Sequence, residues 1–389
     1  MKFIETEGLA IKSWCENMDE YSAAQTQNLA KLPFAFHHIA LMPDCHSGYG
    51  MPIGGVLACK DVIVPNAVGV DIGCGMHAVR TNQTEITAET LKQILEQIRN
   101  AIPVGFEHRD TPLEIPPLDE WKEKTKTPMT VVKQQYYSAT FQVGTLGGGN
   151  HFIEIQKGSD GYIWFMIHSG SRNIGFKVAE YYNEYAKELN KSFYSSVPKE
   201  ADLAFIPLHH NLFKEYLAEM RFCLNFALLN RQTMANFIKN IFVSKIPNCE
   251  FYDSLDIAHN YCKNEEHFNE KVWVHRKGAT AAFAGQLGII PGSQGTKSYI
   301  VQGLGNKDSF MSCSHGAGRK MGRKQAIRTL NLQEEINQLN SKGILHSIRA
   351  QEDLEEAPSA YKNIEDVMNS QKDLVEIKIE LSPLAVVKG

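Results

Sequence analysis

Apolar positions along the chain alternate between two periods, which separate helical stretches from strand-like ones. Residues 86–102 have helical spacing: Leu91, Ile94, Leu95 and Ile98 share one face, Thr84 or Thr87 is available as a cap, and Pro103 closes the run. A polar stretch at 18–32 also reads as helix. Residues 174–245 contain no glycine after Gly175 and place Phe213, Tyr216, Leu217, Met220, Phe226 and Leu229 at helical intervals. This predicts a helical hairpin over 176–245, with its methionine and aromatic stripe packed into core. Residues 325–372 read as mostly polar helix.

The rest has strand and turn character. Short apolar runs at 38–42, 54–64, 162–167, 272–276 and 374–381 are separated by glycine-rich turns, and residues 105–129 form a proline- and charge-rich excursion expected to be exposed. The expected fold is α+β: mixed and antiparallel sheets around a central cleft, with helices outside. No repeat or low-complexity linker interrupts the chain, which predicts one domain over 1–389 with the 176–245 hairpin inserted in it.

Composition narrows the partners. The chain has 389 residues, 43% of them hydrophobic, with 40 basic and 44 acidic side chains and a net charge of -4. A nucleic-acid partner would have to meet local basic patches rather than a global positive field. The eight cysteines form no CxxC pair, and most read as small buried groups. The N-terminus is charged too early for a secretory signal, and no uncharged apolar run approaches the roughly 20 residues of a membrane span. A reducing cytoplasmic setting without a membrane partner is expected.

Candidate chemistry lies in the glycine-rich turns. Asp71 and Cys74 stand three apart in Val-Gly-Val-Asp-Ile-Gly-Cys-Gly-Met, where glycines allow close approach of a ligand. His151, His168 and His259 adjoin later turns, and His151 and His168 are expected to flank a single strand. These five make a candidate metal set, although Cys74 alone also reads as a buried small thiol. Imidazole and thiolate suit zinc or iron and carboxylate suits manganese or magnesium, so ligand type leaves the metal open. His315 lies among small residues and precedes Arg319, Lys320, Arg323 and Lys324, four cations within six positions. A neutral imidazole beside such a cluster suits attack on phosphorus. The loops GTLGGGN and PGSQGTKS offer backbone amides to phosphate, and neither is a Walker loop.

The motifs PDCHSGYGMPIGG, VGVDIGCGM, GGGNHFIE, HSGSR, AHNY, HRKGAT, SHGAGR and the terminal VVKG occur in order from about Asp44 to Gly389. This ordered set resembles the RtcB family of RNA-splicing ligases, in its compact bacterial form. The resemblance implies joining of RNA 3′-phosphate or 2′,3′-cyclic phosphate ends to 5′-hydroxyl ends with GTP and two Mn²⁺ ions, in tRNA splicing or RNA repair. It implies that Cys74 bridges both ions, with His151 and His168 completing one site and Asp71 and His259 the other. His315 would take GMP from GTP. Asn150, Phe152, Glu154, Ser293, Ser298, Gly316, Ala317, Gly318, Tyr361 and Lys388 match positions around the nucleotide. Asp44, Arg172, Lys277, Arg319 and Arg323 would hold or orient RNA and phosphate groups. Some members are assisted by an archease activator.

Asn173 and Gln294 depart from the family pattern, at positions expected to be peripheral to the chemistry. Two other readings of the same residues are a metal-dependent phosphohydrolase acting on RNA ends with no nucleotide step, and an RNA-binding protein without turnover.

Overall fold

A computed structural model describes residues 1–115 and 127–389. Two large sheets carry the fold. The first has six strands in the order Lys2–Ile4, Ile11–Ser13, Ala35–His46, Ile53–Cys59, Glu270–Lys277 and Asn260–His267. Its neighbours are antiparallel except Ile11–Ser13, which runs parallel to Ala35–His46. The second sheet has seven strands in the order Phe251–Ala258, Gly75–Thr81, Ile163–Ser169, Phe152–Gly158, Val375–Lys388, Ser298–Gly303 and Leu287–Ile290. Strands distant in sequence thus lie side by side, and the turns at their ends come together. The architecture is α+β, as the periodicity predicts.

The 88–101 helix forms where its spacing places it. Thr87 caps Ala88–Ala101 by accepting from the Thr90 N–H, and Leu91, Ile94, Leu95 and Ile98 are its buried residues. The polar N-terminal helix is Glu20–Ala30, capped by Asp19. Over 174–245 the chain forms two helices, Arg172–Ser192 and Asn211–Lys245. The second has 35 residues, a length of about 52 Å at 1.5 Å per residue. Phe213, Tyr216, Met220 and Phe226 are buried in one core with the first helix, while Met234, Ile238 and Phe242 pack with the strand residues Ile153, Phe165 and Ile167. The two ends of this helix therefore serve different cores, and its middle passes between them.

Two expectations are refined. Residues 325–372 are mostly helical, as read, but in short pieces: Arg323–Thr329, Leu332–Ser341 and Ile364–Ser370, with the tighter helical segments Gln351–Glu356 and Pro358–Ala360 between the last two. Polar composition favoured helix there, but Gly343 adopts φ +69° and Pro358 removes a donor. The excursion at 105–129 is exposed at Phe106, whereas Ile115 and Met129 are buried; its centre, 116–126, lies outside the described residues. Among the described residues no helix is long and apolar enough to cross a membrane.

Candidate metal centre and nucleotide cleft

The Asp71–Cys74 turn enters the second sheet at Gly75, whose neighbours across the ladder are Ser169 and Ala258. Gly73 has φ +78°, and a Cβ there would lie 3.1 Å from the Ala227 methyl of the long helix, so both conformation and space require glycine. The Cys74 carbonyl accepts from the His259 N–H at 2.9 Å, which fixes that histidine beside the thiol. His151 and His168 do not flank one strand. His168 belongs to Ile163–Ser169 and pairs with Phe152 of the neighbouring antiparallel strand, so His151 lies one residue beyond the pair.

These placements bring all five candidate ligands together. Cys74 Sγ is 3.5 Å from His151 Nε2 and 3.2 Å from His168 Nε2. His168 Nε2 is 3.4 Å from His259 Nε2, and His151 Nε2 is 3.1 Å from Asp71 Oδ2. The donor atoms form two triads sharing Cys74: Cys74, His168 and His259, and Asp71, Cys74 and His151, each within 4.8 Å. This corrects the partition expected from the resemblance, in which His151 was grouped with His168 and Asp71 with His259. The sheet register sets the actual grouping.

The set is prepared for a divalent cation. His151 and His168 direct Nδ1 at the carbonyls of Leu146 and Asn150, at 3.0 and 3.1 Å, which leaves each Nε2 lone pair facing the thiol. Burial, then the neighbouring imidazoles, push His168 well below its ordinary range; burial, then His315 and His168, do the same for His259. Burial and the Asp71 charge push the Cys74 thiol up. Burial would raise Asp71 too, but the His151 hydrogen bond and the charges of His151 and Arg172 hold it low. Neutral imidazoles at His168 and His259, a carboxylate and a thiol that needs a cation to ionise fit one or two borderline divalent ions.

The long helix holds this centre from beneath through two adjacent side chains that the sequence reading missed. Arg231 is 2% exposed. Its Nη1 donates to the carbonyls of Gly73 and Ser169 at 3.0 Å, and its other donors grip Asp256 at 2.9 and 2.6 Å. Asn230 accepts from the Gly144 and Thr145 N–H groups and donates to Thr145 O, Ser169 Oγ and Gly170 O. Replacing Arg231 with methionine removes a donor from two carbonyls and leaves the largely buried Asp256 carboxylate with His77 alone, at 2.9 Å. The expected cost is about 3–5 kcal/mol of stability, measured by denaturant unfolding of the metal-free protein.

The second half of the site begins where strand Ser312–Ser314 pairs with Ala279–Ala281 and ends at His315. His315 Nδ1 lies 2.6 Å from Asp44 Oδ2, which also accepts from the N–H groups of His315 and Gly316. A carboxylate accepting at Nδ1 leaves the Nε2 lone pair free. Gln371 clamps the preceding residue, accepting from Ser314 N–H at 3.0 Å and donating to Ser314 Oγ at 2.6 Å. The His315 and His259 rings are 4.8 Å apart, so the imidazole borders the metal centre.

His315 and His168 face a cleft of about 730 Å³ whose walls include Asn150, Phe152, Glu154, Ser293, Gly316, Ala317, Gly318, Arg319, Arg323, Tyr361 and Lys388. Gln294 also lines it, donating to the Glu356 carbonyl at 2.8 Å, so it is part of the wall rather than peripheral. Glu356, a further residue missed in the sequence, is 4% exposed and ties the cationic side together. It accepts from Tyr361 and pairs with Arg319 at 3.0 Å, Arg323 at 2.8 Å and, more distantly, Lys388 at 3.9 Å. Burial would raise Glu356, but Lys388, Arg319 and Arg323 outweigh it and keep it ionised. Lys388 Nζ also stands 5.6 Å over the Phe152 ring.

Glu154 differs: burial pushes it up to about 8, against a hydrogen bond from Gln156 and the charge of Lys388. Its native form therefore holds a proton that the unfolded chain releases near pH 4–5. Stability from this group is present below that range and declines as pH rises toward 8. Relative to wild type, Glu154→Gln should gain stability from pH 5 to pH 8, by up to about 1.4 kcal/mol per pH unit. Paired denaturant titrations at several pH values check this.

Four expected contact residues are placed elsewhere. Asp44 is fully buried behind His315 and reaches the cleft only through that ring. Lys277 is 6% exposed, and its ammonium donates to the carbonyls of Tyr49 and Asn66, the latter at 3.1 Å. Ser298 is 1% exposed and accepts from Gly292 N–H at 3.2 Å, which fixes the 291–297 loop. Arg172 lies beneath the 144–150 loop and donates to Thr145 Oγ1 at 3.2 Å. A Cβ on Gly147 would meet its Nη1 at 2.1 Å.

Residues 25–389 match the model of a protein family described as tRNA-splicing ligase RtcB. The chain is 38% identical to the RNA-splicing ligase RtcB of Escherichia coli K12, over 100% of this chain and 99% of that protein. It is 30% identical to the tRNA-splicing ligase RtcB of Thermococcus kodakarensis, over 94% and 90% of the two chains. An RNA-splicing ligase RtcB homolog of Entamoeba dispar is 33% identical, over 94% of this chain and 81% of its own.

Proposed function

Given that this chain belongs to the RtcB family of RNA-splicing ligases and is an RNA ligase, we propose that it seals RNA 3′-phosphate ends to 5′-hydroxyl ends through GMP carried on His315. The observation that carries this reading is the Asp44–His315 pair, 2.6 Å apart at Nδ1, beside the metal-capable cluster and under an arginine-lined cleft. Two Mn²⁺ ions held by Cys74, His168 and His259 and by Asp71, Cys74 and His151 would supply Lewis acidity toward phosphoryl oxygens.

His315 Nε2 attacks the α-phosphorus of GTP; an N–P bond forms, the bond to the β-phosphate breaks and pyrophosphate leaves. The ring becomes cationic as it is phosphorylated, with its Nδ1 proton retained against the buried Asp44 carboxylate, which stabilises that charge. An oxygen of the RNA 3′-phosphate then displaces Nε2 from phosphorus, and the ring returns to its neutral form. The 5′-hydroxyl of the second RNA end attacks the activated 3′-phosphorus, loses its proton and expels GMP. A 2′,3′-cyclic phosphate end is first opened by water.

Phe152, Glu154, Asn150, Ser293 and Tyr361 are suited to enclosing the nucleotide. Lys388, Arg319 and Arg323 are suited to its phosphates and to those of RNA, with Glu356 holding the cations in place. Eight free cysteines support a reducing, cytoplasmic setting in tRNA splicing or RNA repair, with all of 1–389 acting as one catalytic domain.

Incubation with α-labelled GTP and Mn²⁺ tests the reading. Wild type should retain label, His315→Ala should retain none, and both should stay folded. RNA-end hydrolysis by an unlabelled wild type would instead indicate a phosphohydrolase. Repeated turnover with and without an archease-like activator decides whether that partner is needed.

A further inference from the structure

The cleft carries two aromatic rings that the chemistry above leaves unused. Tyr21 and Tyr49 both line it, and they are 64% and 71% exposed. Among the described residues neither ring has a stacking, cation–π or hydroxyl partner.

A lone exposed tyrosine needs no explanation. These two differ because buried polar groups anchor the backbone that presents them. Gln25 is 5% exposed, and its carboxamide clamps Gly48: Nε2 donates to the Gly48 carbonyl at 2.5 Å, and Oε1 accepts from the Gly48 N–H at 3.2 Å. The buried ammonium of Lys277 donates to the Tyr49 carbonyl and, at 3.1 Å, to the Asn66 carbonyl. Tyr21 lies four positions before Gln25 on helix Glu20–Ala30, so the clamp on the Tyr49 loop shares a helix face with the second ring. The backbone beneath Tyr49 is thus ordered before any contact is made, which lowers the entropy cost of binding to its ring.

The same anchors keep Tyr49 close to the reacting groups. Lys277 is followed by Gly278, where a Cβ would lie 3.1 Å from His315 Cε1, and Asn66 stands five residues before Asp71. Charge indicates which part of a nucleotide the rings would meet. Arg319, Lys320 and Arg323 supply the cations of the cleft for phosphates. Next to Tyr21 in the chain stand Glu20, which is exposed, and Asp19, whose carboxylate accepts from the Ser22 N–H and hydroxyl at 2.9 and 2.6 Å. Two carboxylates beside the ring disfavour a phosphate there and leave the uncharged face of a base as the better partner.

We propose that Tyr21 and Tyr49 form a stacking platform for an unpaired RNA base next to the phosphate being joined. Every base has an aromatic face, so such a platform holds an RNA end without selecting its sequence. The assignment to RNA rests on the ligase reading above.

The test uses the full Mn²⁺-loaded chain, a Tyr21→Ala/Tyr49→Ala variant and a Tyr21→Phe/Tyr49→Phe variant, with every change at an exposed side chain. Affinity is measured for short single-stranded RNAs with a 3′-phosphate or a 5′-hydroxyl end, each intact and with the last two nucleotides at that end made abasic. The alanine variant should bind at least one intact strand about five- to a hundredfold more weakly than wild type, the scale of a lost base–aromatic stack. The phenylalanine variant keeps both ring faces and should bind as wild type does. Removing the bases should weaken wild type by a similar factor and leave the alanine variant unaffected. Labelling of His315 by GTP should be unchanged in both variants. Equal affinities of wild type and the alanine variant for both intact strands would overturn the proposal. So would an alanine defect of the same size on intact and abasic RNA, or an equal defect in the phenylalanine variant. A wild type that GTP does not label would sink the ligase mechanism while leaving the affinities readable.

Discussion

Cys74→Ala should abolish RNA joining and strip the protein of tightly held divalent metal, with little loss of fold. Cys74 is the one residue common to both triads, so its removal leaves each with two donors and would leave the two proposed ions without a shared negative charge between them. The loss in joining rate should be on the order of 10³-fold or more, the scale of several kcal/mol of Lewis-acid stabilisation. Folding should survive because the backbone does the local work: Cys74 N–H donates to Asp71 O and Cys74 O accepts from His259 N–H, and alanine keeps both. Metal content after dialysis, joining rate and melting temperature measured on one sample separate these effects. A variant that melts tens of degrees lower would make Cys74 structural; one that keeps metal and activity would remove the bridging role.

Asp44→Asn should lower the rate of His315 guanylation by about 10²–10⁴-fold while leaving GTP affinity nearly unchanged. The substitution preserves shape but offers Nδ1 an amide in place of a carboxylate. The ring can then settle with its proton on Nε2, the atom that must attack, and the charge that develops on phosphorylation loses its counterion. Asp44 acts through His315 and is a positioning residue, fully buried and without a contact to the cleft. Single-turnover labelling against GTP concentration distinguishes this from a binding defect: the plateau rate should fall and the half-saturating concentration should hold. Asp44→Ala, which also frees the N–H groups of His315 and Gly316, should be slower still.

The sequence was most readable where structure is local. The spacing of Leu91, Ile94, Leu95 and Ile98 and the Thr87 cap are decided within five turns of chain, and the helix forms as read. The five ligands could be named because each lies at a turn or a strand end with glycine or asparagine within two residues. Their grouping could not be read, because it depends on the register Phe152–His168 and on Gly75–Ala258, pairings across 16 and 183 positions. Direction was equally hidden. A motif gives the identity of Lys277 or Ser298, but in a strand one residue points to the cleft and the next into the core.

Arg231 and Glu356 escaped notice for a related reason. A charge on a long amphipathic helix or in a polar segment reads as a solvated face until folding buries it against a partner. Arg231 finds Asp256, and Glu356 finds Arg319 and Arg323; each pair closes a gap between segments that sequence order keeps apart. The break-up of 325–372 has a simpler origin, since polarity alone does not distinguish a helix from a series of capped turns.

At the centre of the proposed mechanism stands a covalent GMP on His315 that would be handed to an RNA end. Its most direct test is to isolate the protein after reaction with labelled GTP and Mn²⁺, map the adduct by mass spectrometry, and chase the rest with an RNA bearing a 3′-phosphate. A single GMP on the peptide containing His315, and transfer of that label to the RNA 3′ end, are the expected results. An adduct on another residue, or a His315 adduct that RNA cannot discharge, would contradict the mechanism.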